Sequence, residues 1–255
     1  MVSKKMFMNL HGKLDVNELP QLNYIIANGG IGSITMERYR EVKAYLGCED
    51  TNILVEADGM YSVLYYKDHV LQPLYDFEVE TLKMLQVKER IEALHFALND
   101  YRKSNEWELY FTLVDKRILF PVYFEEYFNI PDKLKYKVFK DIYMRSESGF
   151  NEIPIEILTK IYYHAQSDRD YRRRMEQLMH EAEMSGGRMI VYRGCVEGYE
   201  NGYSWTVDKK VAEFFASRFE QNGKVLTRYV RPSAIMDYLT DRGEKEVIVN
   251  PELME

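Results

Sequence analysis

An α+β fold is predicted by three features of the 255-residue sequence. Apolar residues recur at helical spacing in several segments before Gly187. Asp58-Gly59 sits between two strand-like runs. Beyond Gly187, short strands alternate and are interrupted by one helix.

Residues 35–46 put Met36, Tyr39, Val42, Tyr45 and Leu46 on one helical face, and Gly47 ends it. Ile53-Leu54-Val55 and the run from Tyr61 to Tyr65 flank Asp58-Gly59, a hairpin signal because both central residues of that turn need φ > 0. Residues 75–101 read as a long amphipathic helix. Residues 107–114 and 118–123 read as a second strand pair around Asp115-Lys116. The texture changes at Ile130-Pro131-Asp132, so a mixed α/β N-terminal accessory module over residues 1–130 and a second domain over 131–255 are expected.

In the second domain, helices are expected over residues 133–144, over 153–163 and from Ser167, with Asp170 completing a capping box. Tyr171, Met175, Leu178, Met179 and Ala182 form the apolar stripe of the last helix, and Gly186-Gly187 closes it. Arg172, Arg173 and Arg174 are spread around this helix and read as a solvated face. Strands follow over residues 189–192, 224–230 and 244–249, with 234–239 ambiguous. The helix over residues 207–219 should bury Val211, Phe214, Phe215 and Arg218.

Composition narrows the function. Apolar residues make up 46% and charged residues 29%, the balance of a globular chain, and no apolar run approaches the roughly 20 residues of a membrane span. The formal charge of −7 without a large basic patch argues against direct nucleic-acid binding. Cys48 and Cys195 cannot build a disulfide framework. The histidines lack zinc-helix spacing, so no metal is expected. Met6-Phe7-Met8 gives way at Asn9 without the apolar core of a secretion signal, and a cytoplasmic location follows as the expectation.

The chemistry lies in the last third. Val191-Tyr192-Arg193-Gly194, then Gly202-Tyr203-Ser204-Trp205-Thr206, then Glu244-Lys245-Glu246-Val247-Ile248-Val249 occur in this order, with Ala212-Glu213-Phe214-Phe215-Ala216 between the last two. Together they resemble the Arg…Ser-x-Thr/Ser…Glu-x-Glu class of mono-ADP-ribosyltransferases, over about sixty residues from Met189 to Pro251. The resemblance implies a C-terminal split β-sandwich with flanking helices, NAD as substrate, no metal, and a protein target carrying an acceptor arginine. It also suggests an intracellular effector of phage or bacterial-toxin type.

The resemblance implies catalytic roles for Glu246, which would stabilise the oxocarbenium-like ribose, for Glu244, which would position the acceptor, and for Ser204, which would hold Glu246. Arg193, Gly194, Ser204, Trp205 and Thr206 would contact NAD. Fixed carboxylates suit this chemistry because breaking the nicotinamide–ribose bond develops positive charge, as in glycoside hydrolysis. In an extended strand, Glu244 and Glu246 would share one face. Gly194 would let backbone approach the dinucleotide. Trp205 is larger than the family's usual Thr, and Tyr238 is a possible substrate-touching loop aromatic. Each residue also has an ordinary reading: Thr206 as a helix N-cap, Ser204 as a strand serine, Arg193 as a surface ion-pair partner and the glutamates as solvated strand residues. Water as acceptor would give an NAD glycohydrolase, and a non-catalytic interaction protein retaining the fold is the third reading.

Overall fold

The computed structural model describes residues 14–254 other than 30, 33, 59, 147, 148 and 219–221. The protein is α+β, with helices and antiparallel sheets. It divides into two compact units, Ser3–Leu134 with Val138–Glu152, and Lys135–Lys137 with Ile153–Glu255. The division thus falls after Glu152 and not at residues 130/131. Phe139 and Phe150 account for this, because both pack on Phe120 of the first unit, with ring centroids 5.9 and 6.5 Å away.

In the first unit, α1 (Leu22–Ala27) and α2 (Met36–Leu46) precede a three-stranded antiparallel sheet, β1 (Ile53–Asp58), β2 (Met60–Lys67) and β3 (Val70–Leu74). Thr35 caps α2 by accepting from Arg38 N–H, and left-handed Gly47 ends it, as its sequence implies. The β1–β2 hairpin pairs as expected, although Gly59 at its tip lies outside the described residues. Helix α3 (Leu82–Ser104) starts at the Thr81 cap, later than residue 75, because residues 75–81 form a turn in which Asp76 Oδ1 accepts from Glu78 N–H at 3.1 Å.

The expected strand pair at 107–123 is instead two helices, α4 (Trp107–Leu113) and α5 (Leu119–Glu126). Trp107, Tyr110, Phe111 and Val114 are buried at the i, i+3, i+4, i+7 spacing of one helical face. In α5 nearly every residue is buried, so no periodicity marks it in the sequence. Helix α6 (Asp132–Arg145) follows.

In the second unit, α7 (Ile155–Ala165) and α8 (Arg169–Glu181) precede a six-stranded sheet. Asp168, not Ser167, caps α8 by accepting from Tyr171 N–H at 2.8 Å. Gly186 and Gly187, with φ of 58° and 76°, do not close α8 but form the turn between β4 (Met184–Ser185) and β5 (Arg188–Cys195). Strand β5 pairs with β4, β6 (Ser204–Thr206) and β7 (Lys224–Val230). β6 pairs with β9 (Glu246–Val249), and β9 with β8 (Ile235–Leu239). Leu178, Met189, Val191, Trp205, Tyr238 and Val247 belong to the core beneath this sheet.

Helix α9 (Lys209–Ser217) buries Ala212 and Ala216, not Phe214, which is 62% exposed. Small residues face β5 because the helix lies too close to it for larger ones. A Cβ on Gly194 would come within 2.5 Å of Ala216 N. Phe219, expected in this helix, lies outside the described residues.

Candidate functional site

Three of the sequence-predicted residues are linked by two hydrogen bonds. Ser204 Oγ donates to Glu246 Oε1, and Arg193 Nη1 donates to the Ser204 carbonyl. Strand pairing sets up the first bond. Thr206 pairs with Glu246 across β6–β9, so Ser204, two residues earlier, lies diagonally on the same face. The second reflects a parting of strands. β5 and β6 pair at Tyr192–Thr206, and the next residue, Arg193, sends its guanidinium to backbone carbonyls instead, Ser204 O and Tyr199 O, the latter at 3.1 Å from Nε.

Glu246 is 8% exposed and opens β9 between Thr206 and Leu239 of its neighbour strands. A carboxylate this buried needs donors, and the Ser204 hydroxyl is one of them. Gly202 makes room for the arginine: a Cβ there would lie 2.5 Å from Arg193 Cζ.

Other assignments change. Glu244 and Glu246 do not alternate along one strand. β9 begins at Glu246, and Lys245 has a left-handed φ of 48°, which breaks the pleat between them. The Glu244 carbonyl is instead tied to β6 by Thr206 Oγ1–H at 2.8 Å. Lys245 Nζ pairs with Glu181 at 3.3 Å. Thr206 is not the N-cap of α9. That is Asp208, which accepts from Lys210 N–H at 2.9 Å, while Thr206 Oγ1 accepts from Asp208 N–H at 3.1 Å.

Gly194 serves packing of α9 on β5, since the direction of its missing side chain is filled by that helix and not left open to a ligand. Trp205 belongs to the core, 3% exposed, with its indole N–H on the Gly202 carbonyl at 2.9 Å, so its ring is buried away from solvent. Tyr238 is fully buried in β8, and its hydroxyl donates to Glu181 at 2.8 Å. Burial, and then Glu181, raise its pKa. It is not an exposed loop aromatic.

Arg174 is the clearest residue the sequence reading missed. It is buried, donating from Nε to Tyr238 O at 2.8 Å and from Nη2 to Asp237 Oδ1 at 3.1 Å and to the Tyr136 hydroxyl. Tyr136 donates to Asp237 Oδ2 at 2.6 Å. The signal was present: Arg174 stands four residues before core Leu178, on the buried face and not the solvated one. This triad anchors the β8 strand that flanks Glu246.

No protein-family model, curated protein or solved structure matches the chain.

Proposed function

We propose that the second unit is an NAD-dependent protein mono-ADP-ribosyltransferase of split β-sandwich type that modifies arginine on a protein target. The observation that carries this reading is the hydrogen bond from Ser204 to the buried carboxylate of Glu246, on a strand pair tied to Arg193. A carboxylate fixed in orientation and shielded from water is what a developing ribose cation requires. Such preorganised electrostatics is worth about 3–4 kcal/mol.

With NAD as substrate, the C1′–nitrogen bond breaks and nicotinamide leaves with the electron pair. Glu246 stabilises the cation. An arginine nitrogen of the target then bonds C1′, and its proton passes to Glu244. Arg193 acts here as a positioning residue that holds the Ser204 strand, in place of the phosphate contact the resemblance implies, because its guanidinium serves backbone carbonyls. Gly194 and Trp205 hold the scaffold.

The left-handed Lys245 favours a second reading, an NAD glycohydrolase with water as acceptor, because it uncouples Glu244 from the face of Glu246. Labelled NAD incubated with the protein and a cell lysate separates the two. Label on a protein band supports transfer, free ADP-ribose without labelled protein supports hydrolysis, and neither product contradicts both.

A further inference from the structure

Strand β7 forms one end of the sheet in the second unit. It pairs with β5 along its full length, from Val230–Met189 to Lys224–Cys195, without a register shift. On its other side, among the described residues, only Val230 has a strand partner, an isolated bridge to Met254. Lys224, Thr227, Arg228 and Tyr229 are exposed, whereas β8, at the opposite end of the sheet, is buried at all five positions. An open strand edge is a template for another chain, and proteins usually close it with a short strand, a proline, a bulge or a covering element. β7 has seven residues, no proline and no bulge.

The ladder fixes which backbone groups this edge presents. In an antiparallel strand, successive residues turn their N–H and C=O to opposite sides. Ile190 N–H donates to the Glu183 carbonyl at 2.9 Å, on the β4 side of β5, so Met189, Val191, Arg193 and Cys195 turn theirs towards β7. Val230, Arg228, Leu226 and Lys224 stand opposite them and complete that ladder. Val225, Thr227 and Tyr229 therefore turn N–H and C=O outward, and the Met254 bridge takes only the Val230 end.

The charges on the edge select the occupant. Lys224 is paired with Glu200 at 2.5 Å. Arg228 donates from Nη1 to the carbonyl of its neighbour Thr227 at 3.3 Å and meets no carboxylate among the described residues. A strand added antiparallel would place the residue opposite Arg228 in a non-hydrogen-bonded pair, where Cα atoms approach to about 4.5 Å and side chains interact closely. A second copy of β7 supplies no acid there. Two-fold registers centred on Leu226, Thr227 or Arg228 set Arg228 opposite Lys224, Leu226 or Arg228 of the copy. We infer that the β7 edge docks an extended segment of a partner protein by antiparallel strand addition, with an Asp or Glu opposite Arg228 and β-branched residues on the face of Thr227 and Tyr229. This goes beyond the transferase reading and does not depend on it.

Calorimetric titration and amide hydrogen exchange of the full chain with the peptide acetyl-Val-Glu-Val-Thr-Val-amide, and with its lysine counterpart acetyl-Val-Lys-Val-Thr-Val-amide, test it. The acidic peptide should bind and slow exchange at the Val225 and Thr227 amides. The lysine peptide should bind at least about fivefold more weakly. Arg228→Glu, at an exposed position, should reverse that preference. Thr227→Pro removes an outward N–H, a change that edge strands tolerate, and should abolish binding while the unfolding midpoint stays near that of wild type. If that variant does not fold, the charge reversal at Arg228 decides alone. Absence of binding up to ~10 mM, equal or tighter binding of the lysine peptide, a preference unchanged in Arg228→Glu, or full binding by a folded Thr227→Pro would each overturn the assignment. Protection of the same amides without peptide, rising with protein concentration alongside a dimer in sedimentation, would give the edge to a second copy and overturn the acidic partner.

Discussion

Gly202 has no room for a side chain because Arg193 occupies the space: a Cβ on Gly202 would lie 2.5 Å from Cζ of the guanidinium. The backbone at Gly202 and the guanidinium of Arg193 therefore define one unit. That unit sets where Ser204 stands and, through Ser204, how Glu246 is turned. Gly202→Ala should displace the arginine and destabilise the protein by about 1–3 kcal/mol, the usual cost of overpacking. Urea midpoints of Gly202→Ala and of Gly202→Ala/Arg193→Ala decide it. The double variant should regain stability relative to Gly202→Ala, and a further loss equal to that of Arg193→Ala alone would show that the two residues are not coupled.

The Arg174–Asp237–Tyr136 cluster makes a separate claim on stability. Arg174→Met leaves the Asp237 carboxylate buried without its cation, at an expected cost of about 3–5 kcal/mol. Tyr136→Phe removes only one donor and should cost about 1–3 kcal/mol. Equilibrium unfolding of both variants tests the order, and a surface-like effect of Arg174→Met would contradict the buried network.

Much of this architecture was readable because local rules and packing agreed. Gly47 stops α2 where a glycine after the apolar stripe implies it, β5 contains the strand expected over 189–192, and β7 falls where alternation places it. The readings failed where one rule hid another. The runs around Trp107 and Phe120 look like strands because so many of their residues are apolar. Their burial comes from helices packed among aromatic rings. Gly186-Gly187 reads as a helix stop but forms a hairpin turn, since two consecutive left-handed residues suit that turn best. Residue order singled out Arg193, Ser204 and Glu246, which two hydrogen bonds link. It could not reveal that Lys245 leaves the pleat or that Gly194 faces a helix, because both depend on backbone torsion and long-range packing.

Acid sensitivity is expected at Asp50, held below the ordinary carboxylate range first of all by the hydrogen bond from Lys43. A lowered pKa in the folded state means that the unfolded chain takes up the proton more readily. The stabilisation is therefore present above the unfolded value, about 3.9, and is lost as pH falls through the folded value. Lys43→Met removes it. Unfolding midpoints of wild type and variant should differ at about pH 6 and draw together as pH falls below about 3.9. A gap that widens on acidification would contradict this sign.

Ser204→Ala should retain fold and NAD binding while slowing turnover, because it frees the rotamer of Glu246 without removing its charge. The loss should fall on kcat and not on KM, as for an interaction used in the transition state. Steady-state kinetics with NAD tests this, and a pure KM effect would make Ser204 a binding residue instead.

Glu246 is the residue on which the proposed chemistry most depends. Nicotinamide release from NAD by wild type and by Glu246→Gln, measured beside their thermal unfolding and NAD affinity, tests it most directly. Wild type should release nicotinamide. The variant should lose on the order of 10²–10³-fold in rate with stability and affinity nearly intact, because the carboxylate acts on charge that exists only in the transition state. A variant as active as wild type, or a wild type that releases no nicotinamide, would contradict the assignment of Glu246 as the residue that stabilises the ribose cation.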